Sequence, residues 1–145
     1  MKNQKGITLV ALVITIIVLL ILAGVSISLV VGQNGVLTQA SNAVNTNEKA
    51  SVKQNVEMGV ASCVANFWNA YSTDTSKKVY EYLTTTEIKN SCTDADTLDF
   101  EAALTASSTS GTLQYTTKKG TKYKVPLTIS GTAVTVGEPE AVSSF

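Results

Sequence analysis

From residue 7 to residue 31 the chain runs ITLVALVITIIVLLILAGVSISLVV without one charged side chain. As an α-helix rising about 1.5 Å per residue, this run is longer than a hydrocarbon core of about 30 Å, so it reads as a membrane span. Its threonines and serines are tolerable there because their hydroxyls bond back to the preceding helical turn. Lys2 and Lys5 precede it, and a positive flank holds that end on the cytoplasmic side, which sends the remaining chain outward. A secretory signal peptide has a much shorter apolar region followed by a small-residue cleavage site. Hydropathy alone leaves an uncleaved anchor of an unrelated surface protein as the competing explanation.

The chain has 145 residues, 44% of them hydrophobic, and the portion beyond the span suffices for one modest domain. Lysines and carboxylates balance at 11 each, with no arginine, so net charge recruits neither nucleic acid nor an anionic surface. Histidine is absent, which removes the commonest general base and metal ligand and argues against an enzyme, a metal site or a bound cofactor. No phosphate-binding glycine loop, nucleophile elbow or metalloprotease helix is present. The two cysteines, Cys63 and Cys92, lack the close spacing of a zinc or redox motif. They read either as one disulfide, closing a loop of about 30 residues, or as two buried small apolar side chains.

The junction at the start of the span is more specific. Lys5-Gly6-Ile7-Thr8-Leu9-Val10 places a short basic leader, then glycine, then the apolar run. This resembles the class III leader of type IV prepilins, of the kind found in low-GC Gram-positive bacteria. The resemblance covers roughly the first third of the chain. It implies that a prepilin peptidase cuts after Gly6 and that Ile7 becomes the methylated first residue of the mature chain. It further implies a membrane-anchored precursor that the pilus assembly machinery builds, with copies of itself, into an extracellular helical filament. Most members of that family carry glutamate as the fifth mature residue, where this chain has Ala11, and Ser28 falls near the position of their helix-kinking proline. Without the charged residue, filament register is expected from shape, through the small residues Ala11, Ala23, Gly24 and Ser28.

The implied fold class is α+β, a long amino-terminal helix packed on a small antiparallel β-sheet head. Its expected division is a leader over residues 1–6, the membrane and filament-core helix over 7–31, an amphipathic helix over 32–72, and a loop and sheet over 73–145. Gly32-Gln33-Asn34-Gly35 reads as the membrane exit or as a hinge. Val52, Val56, Val60, Cys63, Val64, Phe67 and Tyr71 then recur by threes and fours, which predicts one buried helix face and assigns the neighbouring Trp68 to core packing as well. Thr84 and Glu87 fit a capping box for a short helix over 85–91, while Val79, Tyr80 and Tyr82 suit the start of a strand. Alternation predicts strands at 98–104, 113–117, 123–129 and 132–136, with turns at Lys119-Gly120 and Ser130-Gly131. Pro126 conflicts with a central strand and calls for a bulge or another strand order. Residues 137–145 are expected to be a polar, exposed tail.

Two clusters of charge complete the reading. Asp94, Asp96, Asp99 and Glu101 do not meet the calcium-loop pattern and read as a solvated loop and outer strand face. Lys118, Lys119, Lys122 and Lys124, interleaved with Tyr115 and Tyr123, have the chemistry to touch phosphates and stack bases, although such hairpin tips ordinarily just face solvent.

Overall fold

The computed structural model describes residues 4–32 and 35–145. Lys2 of the leader, and Gln33 and Asn34 of the candidate hinge, lie outside the described residues. Two helices account for the amino-terminal half: α1, Gln4–Val31, and α2, Val36–Tyr71. The chain divides into two compact units, Met1–Asn45 and Thr46–Phe145.

In the first unit every residue of α1 from 5 to 31 is exposed. The helix is long and apolar enough to cross a membrane. Its last regular hydrogen bond runs from the Gly32 N–H to the Ser28 carbonyl, 2.9 Å, and α2 opens with the Gln39 N–H on the Gly35 carbonyl, 3.0 Å.

In the second unit the expected stripe is the buried face of α2, with Val52, Val56, Val60, Cys63 and Phe67 in the core and Val64 and Tyr71 packed against it. Polar turn formers end the helix, where the Asp74 carboxylate accepts from both the N–H and the hydroxyl of Ser76. Those bonds hold its pKa below the usual carboxylate value. Val79–Glu81 forms a 3-10 turn rather than the start of a strand. Half of the expected capping box forms: Thr84 caps α3, Thr85–Ser91, its hydroxyl oxygen accepting from the Glu87 N–H at 3.3 Å, while the Glu87 carboxylate turns to Ser62 and Asn66 and the Thr84 N–H donates to the Tyr82 carbonyl.

The head is completed by five strands: β1 Ala95–Phe100, β2 Ser110–Thr117, β3 Lys122–Ser130, β4 Ala133–Val136 and β5 Glu140–Val142. All pairs are antiparallel, in the order β1-β2-β3-β4, with β5 also on β3. Gly120 and Gly131 supply the positive φ, 90° and 63°, that the two hairpin turns demand. Leu113, Tyr115 and Thr117 of β2 and Tyr123, Val125, Leu127 and Ile129 of β3 are buried, giving one core with the α2 stripe and Ile88.

Three expectations change. The first strand runs over 95–100 instead of 98–104, because a register shift between Ala95 and Thr97 brings Ala95 and Leu98 to the same buried side, and the chain bends away after Phe100. The tail is not simply exposed, since β5 pairs with Lys122, Tyr123 and Lys124, and Pro139 is buried. Pro126 sits in a central strand with no bulge at its β2 partner Thr112. The second edge of β3 is shared, with β5 pairing 122–124 and β4 pairing 127–130, and Pro126 lies where neither reaches. Its carbonyl accepts from the Gly137 N–H at 2.7 Å. In a strand the nitrogen and carbonyl of one residue point to the same side, so the missing donor faces this gap and leaves no ladder bond broken.

Candidate functional site

The Gly6-Ile7 peptide lies in the first turn of α1. The first four N–H groups of a helix have no partner within it, so this turn is the one most easily drawn out into an extended backbone. No atom lies within 4 Å of where a Gly6 side chain would begin, and Ile7 is 68% exposed. Further along, the Thr8 hydroxyl donates to the Lys5 carbonyl at 3.0 Å, Thr15 to Leu12 at 2.7 Å and Ser26 to Leu22 at 2.7 Å. Each bond satisfies a hydroxyl inside the helix, as an apolar surrounding requires.

The small residues of α1 do not form one seam. Gly24 and Ser28 lie one turn apart on the same face, with Ala23 beside them, whereas Ala11 is displaced by about 20 Å along the axis and roughly 140° around it at 3.6 residues per turn. A Gly24 side chain would meet no atom within 4 Å, so that face is open to a neighbouring helix.

The side of α2 opposite its buried stripe went unread in the sequence. Asn47, Ser51, Gln54, Met58, Ala61, Ala65 and Trp68 recur there by threes and fours and carry no charge. All but the half-buried Ser51 are exposed, including Met58 at 55% and Trp68 at 49%. Trp68 is therefore not a core residue. Its ring tilts against Phe67, centroids 5.4 Å apart, and meets Tyr71 edge-on at 5.5 Å, which leaves its outer face to solvent. The signal was available in the same periodicity, on the opposite phase, but small and amide side chains do not announce a buried face.

Gly59 also escaped the sequence reading. A side chain there would start 2.7 Å from the Ile88 Cα, so its absence is what lets α3 cross α2. Next to this crossing, the Glu87 carboxylate accepts from the Ser62 hydroxyl at 3.1 Å and the Asn66 amide at 3.3 Å. Cys63 and Cys92 are both buried with free thiols. Burial pushes both thiol pKa values up, that of Cys92 to about 11.

The two polar clusters are dispersed over the head. Tyr115 is 0% and Tyr123 2% exposed, so neither ring is available to stack on a base. Lys124 pairs with Glu101 at 2.7 Å and Lys122 lies over the Phe145 ring, leaving Lys118 and Lys119 at the hairpin tip. Asp94 and Asp96 engage the Lys118 N–H and the Lys89 ammonium through their backbone carbonyls. Among the described residues no three of His, Cys, Asp and Glu gather into a group able to hold a metal.

Neither curated proteins nor solved structures offer a match to the chain. Its first 27 residues do have a counterpart: over residues 1–27 it matches the family model of the prokaryotic N-terminal methylation motif. That motif, running from the basic residues before Gly6 into the apolar helix α1, supports a type IV pilin-like prepilin leader at the amino terminus.

Proposed function

We propose that this protein is a structural subunit of a type IV pilus-like filament, cut by prepilin peptidase between Gly6 and Ile7 and methylated on the new Ile7 amine. The observation that carries the reading is the methylation motif running directly into a helix whose apolar side chains are all exposed. Such a surface is stable only in lipid or against other apolar helices. The precursor rests in the membrane, and the assembly machinery then transfers the helix into a core made of copies of itself. The uncharged outward stripe of α2 supports this route, because packing it into a crowded core strands no unpaired charge.

Ala11 favours a second role within the same class. Lacking the glutamate that most family members carry there, the chain also suits a minor subunit or a pseudopilin of a secretion or uptake system. Mass spectrometry of surface-assembled protein decides the processing step: a chain beginning at methylated Ile7 is expected, and Gly6→Leu blocks maturation. Retention of Lys2 and Lys5 on the assembled protein refutes processing and returns the chain to an uncleaved anchor. Electron microscopy of sheared surface fractions, labelled for this protein, separates a subunit spread along the filament from one confined to its tip.

A further inference from the structure

The two buried thiols stand at opposite ends of α3. Cys63, on α2, sits against the Thr84 backbone at the amino-terminal cap of α3, and Cys92 is the carboxy-terminal cap of the same helix. Between them Ile88, 0% exposed, is pressed onto Gly59. Glu87 reaches Ser62 and Asn66, further along α2 than Gly59, so α3 runs against the direction of α2. At about 1.5 Å per residue the two caps of α3 are about 12 Å apart. A disulfide requires Cα atoms roughly 4.4–6.8 Å apart. With Cys63 against one end of α3 and Cys92 capping the other, the docked helix stands between the two thiols, and sliding α3 along α2 to bring them together drives Ile88 off Gly59.

We propose that folding of the head and oxidation of its cysteines are mutually exclusive: a Cys63–Cys92 bridge forms only while α3 is undocked from α2, and a chain bridged first does not complete its core. In the folded head the thiols are 0% and 3% exposed and stay protonated through burial, so an oxidant finds no thiolate to attack. In the unfolded chain they are separated by a flexible loop of about 30 residues, which closes readily. The two thiols then lose two electrons and two protons to an oxidant such as a diazene, which becomes the hydrazine as the S–S bond forms. The head is thus protected from oxidants only after it has folded.

The test uses the full chain in detergent. One sample is treated with diamide while folded; another is unfolded in guanidinium at high dilution, treated with diamide, and returned to native buffer. Near-ultraviolet circular dichroism reports packing of the tyrosines and Trp68, and non-reducing peptide mapping reports the bridge. The folded sample is expected to keep both thiols, alkylated only after denaturation. The sample oxidised while unfolded is expected to carry the bridge and to recover its aromatic signal only when dithiothreitol is added, while Cys92→Ala recovers after the same treatment without reductant. Recovery of the signal by the bridged chain overturns the proposal, as does a bridge acquired by the folded protein with its signal intact. Failure of Cys92→Ala to recover also overturns it, since the bridge is then not the obstacle.

Discussion

Gly59→Ala places one methyl group where the core has no room for it. The new carbon would start 2.7 Å from the Ile88 Cα, 2.8 Å from its carbonyl oxygen and 2.9 Å from its Cγ2. Two of those atoms are backbone, so no rotamer change at Ile88 gives relief, and α3 must move away from α2. In an exposed helix interior the same substitution gains about 1 kcal/mol of helix propensity. Here overpacking opposes it by about 1–3 kcal/mol. Lifting α3 also uncovers part of Ile88, whose full burial is worth about 1.5–3 kcal/mol. The net expectation is a loss of about 1–3 kcal/mol. For a domain of about 100 residues each kcal/mol moves the melting midpoint by about 4–8 °C, so the midpoint should fall by about 4–24 °C. The assay is thermal unfolding of the detergent-solubilised full chain, followed by near-ultraviolet circular dichroism. Gly24→Ala, where nothing lies within 4 Å, serves as the control and leaves the transition in place. A Gly59→Ala midpoint at or above that of the native chain would mean that propensity dominates and the crossing is not sterically closed.

Thr84→Ala removes the acceptor for the Glu87 N–H and should cost about 1 kcal/mol in the same melts, with Thr84→Ser restoring most of it. Alkali should weaken the head, because burial raises Tyr115 from 10.0 to about 12 and Cys92 from 9.0 to about 11. Between each pair of values the unfolded chain holds fewer protons than the folded one, so stability falls as pH rises, by up to about 1.4 kcal/mol per pH unit for each group. Denaturant midpoints at pH 8, 10 and 11 check this, and a flat profile refutes it. Tyr115→Phe should remove the tyrosine part of the slope and be close to neutral at pH 7, since among the described residues the buried Tyr115 hydroxyl makes no well-formed hydrogen bond and only a loose polar contact with Asn55. Gly24→Leu should leave membrane insertion intact and reduce filament yield; filaments of normal yield and helical symmetry would show that this face does not set the packing.

Much of this molecule was legible because its signals are periodic or local. The apolar run, the α2 stripe from Val52 to Tyr71, the Thr84 cap and the glycine turns each rest on a few neighbouring residues. The misread elements depend on contacts between distant segments. Glu140 and Val142 carry no strand signature of their own, and become β5 because β3 has an edge left free beyond Pro126. The β1 boundary moved because alternation from 98 to 104 continues past the point where pairing with β2 ends, at Phe100 opposite Leu113. Gly59 drew no notice in the sequence, and only the crossing of α3 gives it a reason. At the candidate site the methylation motif was readable because it is written in consecutive residues. The outward stripe of α2 was not, because exposed small and amide side chains give no periodic apolar signal.

The two units divide the physical work so cleanly that their substitutions should not interfere. Every residue of the head's buried hydrophobic cluster lies between Val52 and Ile129, within the second unit. The second unit thus carries its own hydrophobic core, and the apolar side chains of α1 are exposed along that helix. Substitutions at distant sites that share no partner add in free energy, so changes in α1 and changes around Gly59 or Thr84 should act independently. That separation fits a subunit moved from one apolar surrounding to another. On the filament role proposed above, a head that holds its own core predicts that lipid is exchanged for protein around α1 with the head already formed.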